Sequence, residues 1–229
     1  MVPSRSALLD IRRALPARLD ATALALGVRA LGRADPRLGA IVARHGAPPM
    51  WDRPGGFRTL ARIVLEQQVS LRSATSLFRR VDRTLAGGIT AAGVARAGVR
   101  GLRAVGLTRQ KAAYLVALAE STTDGSLDFR RLARLDDAAA FAALTGVHGI
   151  GPWSASIYLL MALRRPDVWP PGDLALHVAL ARLRRQNRVP LSAEAARYAE
   201  RWRPWRSVAA RILWHAYLSE RPARGAGGG

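Results

Sequence analysis

The chain has 229 residues, 49% of them hydrophobic, and a formal net charge of +20 from 36 Lys and Arg against 16 Asp and Glu. That length and apolar fraction suffice for a folded core, and the cation excess points to a polyanionic partner, nucleic acid ahead of an anionic membrane. With no cysteine at all, disulfides, thiolate metal sites, iron–sulfur clusters and cysteine nucleophiles are excluded.

Residues 1–20 are basic and weakly periodic, a frayed helix or a tail. Helical spacing begins at Ala21–Leu31, and Asp35-Pro36 reads as the start of a second helix to about Arg44. His45–Gly56 is rich in proline and glycine and reads as a linker. From Phe57 the pattern strengthens, with Phe57, Leu60, Ile63 and Val64 on one face. Ser70 is placed to cap a helix whose Ser73, Leu77, Val81 and Leu85 share a face, and Gly87-Gly88 ends it. The segment LRAVGL (102–107), a helix over about 109–120 and a loop TTDGSLD follow. A helix over 138–144 then runs into the tight segment GVHGIGP (146–152). Beyond it the pattern predicts a helix over 153–163, a loop RRPDVWPPGD (164–173), and helices over 174–185, 192–202 (Ser192 as cap) and 207–220. The tail RGAGGG has linker composition. The sum is an all-α chain of ten or so short helices, with no internal repeat.

Two places carry chemistry. In LTGVHGIGPWSASIYLL (144–160), two helices meet through Gly149-Ile150-Gly151. Such glycines allow positive φ and close approach, and the backbone N–H groups that open the second helix can meet a phosphate. Taken alone, this is also an ordinary connection between helices. Asp173 follows the loop Trp169-Pro170-Pro171-Gly172, twenty residues after Trp153, and opens another helix. An isolated aspartate there is an N-cap. The four histidines (His45, His148, His177, His215) show no metal-ligand spacing, and no apolar run is long enough to span a membrane.

Hairpin, Gly/Pro-rich loop and aspartate occur together and in order, and that combination resembles the helix-hairpin-helix (HhH-GPD) DNA glycosylase superfamily. LARIVLEQQVS (60–70), LRAVGLTRQKAAYLVALA (102–119) and YAERWRPWRSVAARILW (198–214) are similar to its alkylbase branch, 3-methyladenine DNA glycosylase II. The likeness runs from about Phe57 to Leu218. It implies an all-α fold of two helical subdomains flanking a DNA-binding cleft, 1–57 with 172–222 as one and 58–171 as the other, with 223–229 a disordered tail. It implies Asp173 as the catalytic carboxylate, and Trp153, Trp214, Ile157 and Tyr158 at the base pocket. Ile157 stands where the family's pattern expects a tyrosine, with Tyr158 beside it, which leaves the lesion range open. The wedge into the duplex falls on Gln68, whose other reading is a polar residue in a surface turn. Gly149, Ile150 and Gly151 fall on the phosphate-binding hairpin, and the carbonyls of Thr145, Val147 and Ile150 on a structural Na+ or K+ site. No cofactor for catalysis is expected, and no iron–sulfur cluster.

Bifunctional members of the superfamily carry a lysine just after the hairpin, where it forms a Schiff base with the sugar. Here that position is Trp153, and Lys111 is the only lysine. The resemblance therefore implies a monofunctional enzyme that flips out alkylated purines such as 3-methyladenine and 7-methylguanine. It would hydrolyse the N-glycosidic bond for base excision repair, with no lyase activity. The expected partner is damaged double-stranded DNA. The expected state is a monomer, cytoplasmic and nucleoid-associated, without the N-terminal α/β domain of longer relatives. Two other readings stay open: a glycosylase for another lesion class, and a non-catalytic hairpin module that only grips phosphates. Arg58, Arg62, Arg72, Arg79, Arg109 and Arg182 are candidate phosphate contacts, each equally a solvated helix face.

Overall fold

The computed structural model describes residues 16–220. The basic N-terminal segment up to residue 15 and the tail 223–229 lie outside the described residues. Within them the chain is all helical, with no strand.

The helices are α1 (Ala21–Ala34), α2 (Pro36–His45), α3 (Phe57–Glu66), α4 (Leu71–Thr84), α5 (Ala91–Ala104) and α6 (Arg109–Thr123). They continue as α7 (Phe129–Leu132), α8 (Asp137–Thr145), α9 (Pro152–Met161), α10 (Leu174–Leu183), α11 (Ser192–Ala199) and α12 (Arg206–Ser219). Most starts are set by local chemistry. Asp20, Asp35, Ser70, Thr90, Thr108, Asp136 and Asp173 each accept a hydrogen bond from a backbone N–H of the turn they open. Pro36 and Pro152 occupy the first helical position, where a missing N–H costs nothing.

Two expectations are corrected. The periodicity gave no helix over 91–104, yet α5 forms there, interrupted at Gly98 (φ 58°). Its alanines and glycines carry little apolar pattern. Ser192 does not cap α11; the helix begins on it, and the Glu194 carboxylate accepts the Leu191 N–H at 2.9 Å.

The chain divides into two compact units, one made by residues up to Trp51 and from Arg164 onward, the other by Asp52–Leu163. These limits differ from 57/58 and 171/172, and backbone hydrogen bonds explain why. Arg53 N–H donates to the Met161 carbonyl (3.0 Å) and Gly56 N–H to the Tyr158 hydroxyl (2.7 Å), so the expected linker is divided, its part from Asp52 onward belonging to the central unit. Conversely, the Arg164 carbonyl accepts from Leu19 N–H (2.7 Å) and the Pro166 carbonyl from Ser207 N–H (3.1 Å). The start of the Gly/Pro-rich loop is thereby stitched to the terminal unit.

In the central unit α3 packs on α4, α6 and α9, while α5 pairs with α6 and α8 with α9. Leu60, Ile63, Leu65, Leu102, Leu115 and Leu118 are wholly buried there. In the terminal unit α12 packs on α1, α2 and α10. Its core includes Arg211, fully buried, whose guanidinium donates to the Met50 and Ser207 carbonyls at 2.8 and 3.2 Å. Backbone acceptors stand in for the water that a buried cation loses.

Candidate active site

The hairpin joins α8 to α9 in the central unit. Val147 and Ile150 are buried and anchor the turn, and Ile150 N–H donates to the Val147 carbonyl at 3.0 Å. Gly149 has φ +89°, and a Cβ on it would lie 2.1 Å from Cγ of Tyr114. Left-handed backbone and close approach thus both demand glycine there. Gly151 differs from the expectation for the pair: its φ is −83° and nothing crowds it. It serves as N-cap of α9 without any capping side chain, so the opening turn offers backbone N–H groups and the positive end of the helix dipole to an anion.

The turn Thr145–Gly151 lines one wall of a groove of 610 Å³, with Gln67, Gln68, Gln110, Lys111 and Tyr114 opposite. Gln67 ties the walls together, its amide donating to the Gly149 carbonyl (3.0 Å) and to Ser154 Oγ (2.9 Å). Lys111 Nζ donates to the Leu65 carbonyl (2.8 Å), and burial pushes its pKa below the ordinary lysine value. The sole lysine therefore caps the end of α3 and lines the groove across from the hairpin.

Gln68 is exposed in the turn between α3 and α4 and holds φ +55°, left-handed backbone that a non-glycine residue adopts at a cost. The turn is braced by Glu66, whose carboxylate is buried and receives Arg53 at 2.8 and 3.1 Å and Arg62 Nε at 3.1 Å. Glu66, Arg53 and Gln67 escaped the sequence reading, because their partners lie far away in the chain or look like surface charges.

In the terminal unit Asp173 is the N-cap of α10. Its Oδ1 accepts from Leu176 N–H (3.0 Å) and from the Trp214 indole N–H (3.1 Å). Two donors on two helices fix the carboxylate, and the indole of Trp214, 8% exposed, serves to orient it. One turn beyond Asp173, His177 is buried with its Nε2 lacking a hydrogen-bond partner. Burial lowers its pKa, against the opposing pull of the Asp173 carboxylate.

The other expected pocket residues part ways. Trp153 is half-buried in the first turn of α9. Tyr158 is fully buried, its ring 5.9 Å from Phe129, its hydroxyl taken by Gly56 N–H, and its pKa pushed up to about 12 by burial. It is a core residue of the central unit and cannot stack on a base from that position. Ile157, beside it, is 3% exposed. Three of the arginines proposed for phosphates are engaged elsewhere: Arg58 with Asp82, Arg62 with Glu66, and Arg182 with Glu220. Arg72, Arg79 and Arg109 are exposed.

Residues 61–204 match the family model of the HhH-GPD superfamily base excision DNA repair protein. The chain belongs to that family. Among the superfamily's members, it is 28% identical over 195 residues to a DNA-3-methyladenine glycosylase of Bacillus subtilis, covering 80% of this chain and 64% of that one. It is 30% identical to DNA-3-methyladenine glycosylase 2 of Escherichia coli, covering 77% and 64%. This chain thus spans a little under two thirds of the length of those two proteins. The fold is similar to that of the Schizosaccharomyces pombe 3-methyladenine DNA glycosylase in complex with abasic DNA, with a TM-score of 0.73 at 25% identity, covering 83% and 94%.

Proposed function

We propose that this HhH-GPD chain is a monofunctional DNA glycosylase that removes alkylated purines, 3-methyladenine and 7-methylguanine, from duplex DNA. The observation that carries the reading is Asp173, fixed by Leu176 N–H and the Trp214 indole where the family resemblance puts its carboxylate. Homologues named for 3-methyladenine excision support the substrate class.

A base stacked in the duplex is reached by flipping its nucleotide out, which costs a few kcal/mol and least for damaged bases. Gln68 would fill the vacated stack. The unhindered backbone at Gly151 and the uncapped start of α9 would hold the phosphate. The carbonyls of Thr145, Val147 and Ile150, residues that line that groove, would supply neutral oxygen donors, which suit a hard cation such as Na+ or K+. Such an ion would add positive charge beside the phosphate. An N-alkylated purine is cationic, and an electron-rich indole such as that of Trp153 would attract it by roughly 0.5–2 kcal/mol. As the glycosidic bond breaks, the Asp173 carboxylate stabilises the developing oxocarbenium charge and orients water toward C1′.

Two outcomes follow. Base release should leave intact abasic strands, and borohydride should trap no covalent protein–DNA adduct. Trp153 stands at the lyase position, and Lys111 is bound to the Leu65 carbonyl. A trapped adduct would overturn the monofunctional reading. Gln68→Gly should leave stability unchanged or raise it by up to about 1 kcal/mol, because glycine relieves the left-handed strain. The same change should slow base release. Faster or equal release would remove Gln68 from the wedge position.

A further inference from the structure

The terminal unit carries a second groove, of 520 Å³, formed by α2, the C-terminal end of α10 and α12. Five arginines line it: Arg37, Arg44, Arg182, Arg184 and Arg185. Its floor is apolar, made by Ile41, Ala179, Leu183 and Ala216. It lies at the opposite end of α10 from Asp173, roughly 15 Å away along a ten-residue helix.

The backbone at its rim is unusual. α10 ends with Arg185 N–H on the Arg182 carbonyl (3.0 Å) and Gln186 N–H on the Ala181 carbonyl (2.9 Å). That pattern normally places glycine at the left-handed position. Here Arg185 occupies it, with φ +53°. Arg185 thus lines the groove at a backbone cost that glycine would avoid. Arg44 and Arg185 have no carboxylate partner among the described residues. The groove already holds one carboxylate, that of Glu220, which binds Arg182 at 3.0 Å and His45 at 3.2 Å.

We propose that this groove docks a short acidic and apolar peptide segment of a partner protein, carboxylates on Arg44 and Arg185 and one or two aliphatic side chains on the Ile41–Leu183 floor. The floor decides between polyanions: a duplex offers phosphates on a convex backbone and nothing apolar to fill it. Charge decides against self-association, since a second copy also carries +20. The first fifteen residues, with Arg5, Arg12 and Arg13 against Asp10, cannot supply the carboxylates either. The inference stands independently of the glycosylase reading.

The test uses the full chain and a labelled peptide, Glu-Glu-Leu-Leu-Glu-Glu-Leu-Leu-Glu, followed by fluorescence anisotropy. Arg44→Glu with Arg185→Glu should weaken binding at least about tenfold, whereas the same charge change at Arg130 and Arg131 on α7 should cost less than about threefold. Arg185→Gly should weaken peptide binding while raising the melting temperature, a pairing that a purely structural role does not produce. Base release and affinity for undamaged duplex DNA should be unchanged in the groove variant. Equal losses in both charge variants, or equal binding by a peptide with serine in place of leucine, would overturn the proposal. So would a groove variant that loses DNA affinity and keeps the peptide, which would make the groove a contact for the DNA backbone.

Discussion

Asp173→Asn is expected to slow methylpurine release from methylated duplex DNA by at least about 100-fold, or about 2.7 kcal/mol of barrier. Asparagine is the informative replacement. Its amide oxygen can still accept from Leu176 N–H and the Trp214 indole, so cap and orientation survive and only the charge is removed. Alanine would instead remove the cap as well, at a further cost of about 1 kcal/mol in stability. DNA affinity should be kept or slightly increased, because a negative charge facing a polyanion is lost. Single-turnover release together with a binding titration checks both. A wild type that binds methylated DNA and releases nothing would leave the binding-module reading. Undiminished release by the variant would mean that the carboxylate at work is another.

The two hairpin glycines are expected to respond in opposite ways. Gly149→Ala places a Cβ 2.1 Å from the Tyr114 ring in backbone that already has φ +89°. The ring is set edge-on to His148 at 5.2 Å, and its hydroxyl receives Gln110 Nε2 at 2.6 Å, so it cannot retreat without losing both. Overpacking and left-handed strain together should cost roughly 2–5 kcal/mol and lower the melting temperature. Gly151→Ala meets no neighbour and has an ordinary φ, so the fold should tolerate it. Its effect should fall on DNA affinity alone, through the methyl group interposed between backbone and phosphate. If Gly151→Ala binds duplex DNA as the wild type does, the start of α9 is not where the phosphate sits. If Gly149→Ala melts normally, the Tyr114 contact does not hold the hairpin in shape.

The hairpin and the capping aspartate were legible in the sequence because their signals are local. Asp173 caps through a bond to the residue three places on, and Gly149 declares itself by the turn it must make. Tyr158 shows the opposite case. Beside the hairpin tryptophan it read as a pocket wall, but helix α9 turns it inward onto Phe129 and Gly56, which are 29 and 102 residues away in the chain. The groups that hold the site together escaped the sequence for the same reason. Gln67 reaches a carbonyl 82 residues on, and Arg53 pairs with Glu66 13 residues on.

By itself, then, the sequence determined the all-α character, the cation excess of +20 that points to a polyanionic partner, the hairpin and the position of the capping aspartate. Each is written in composition or in bonds that span a single turn. Only the tertiary structure decided that Trp214, 41 residues beyond Asp173, orients its carboxylate, that Lys111 caps α3, and that five arginines gather over one apolar floor. Those pairings depend on which helix faces pack together, and that is set by the whole core rather than by any local pattern.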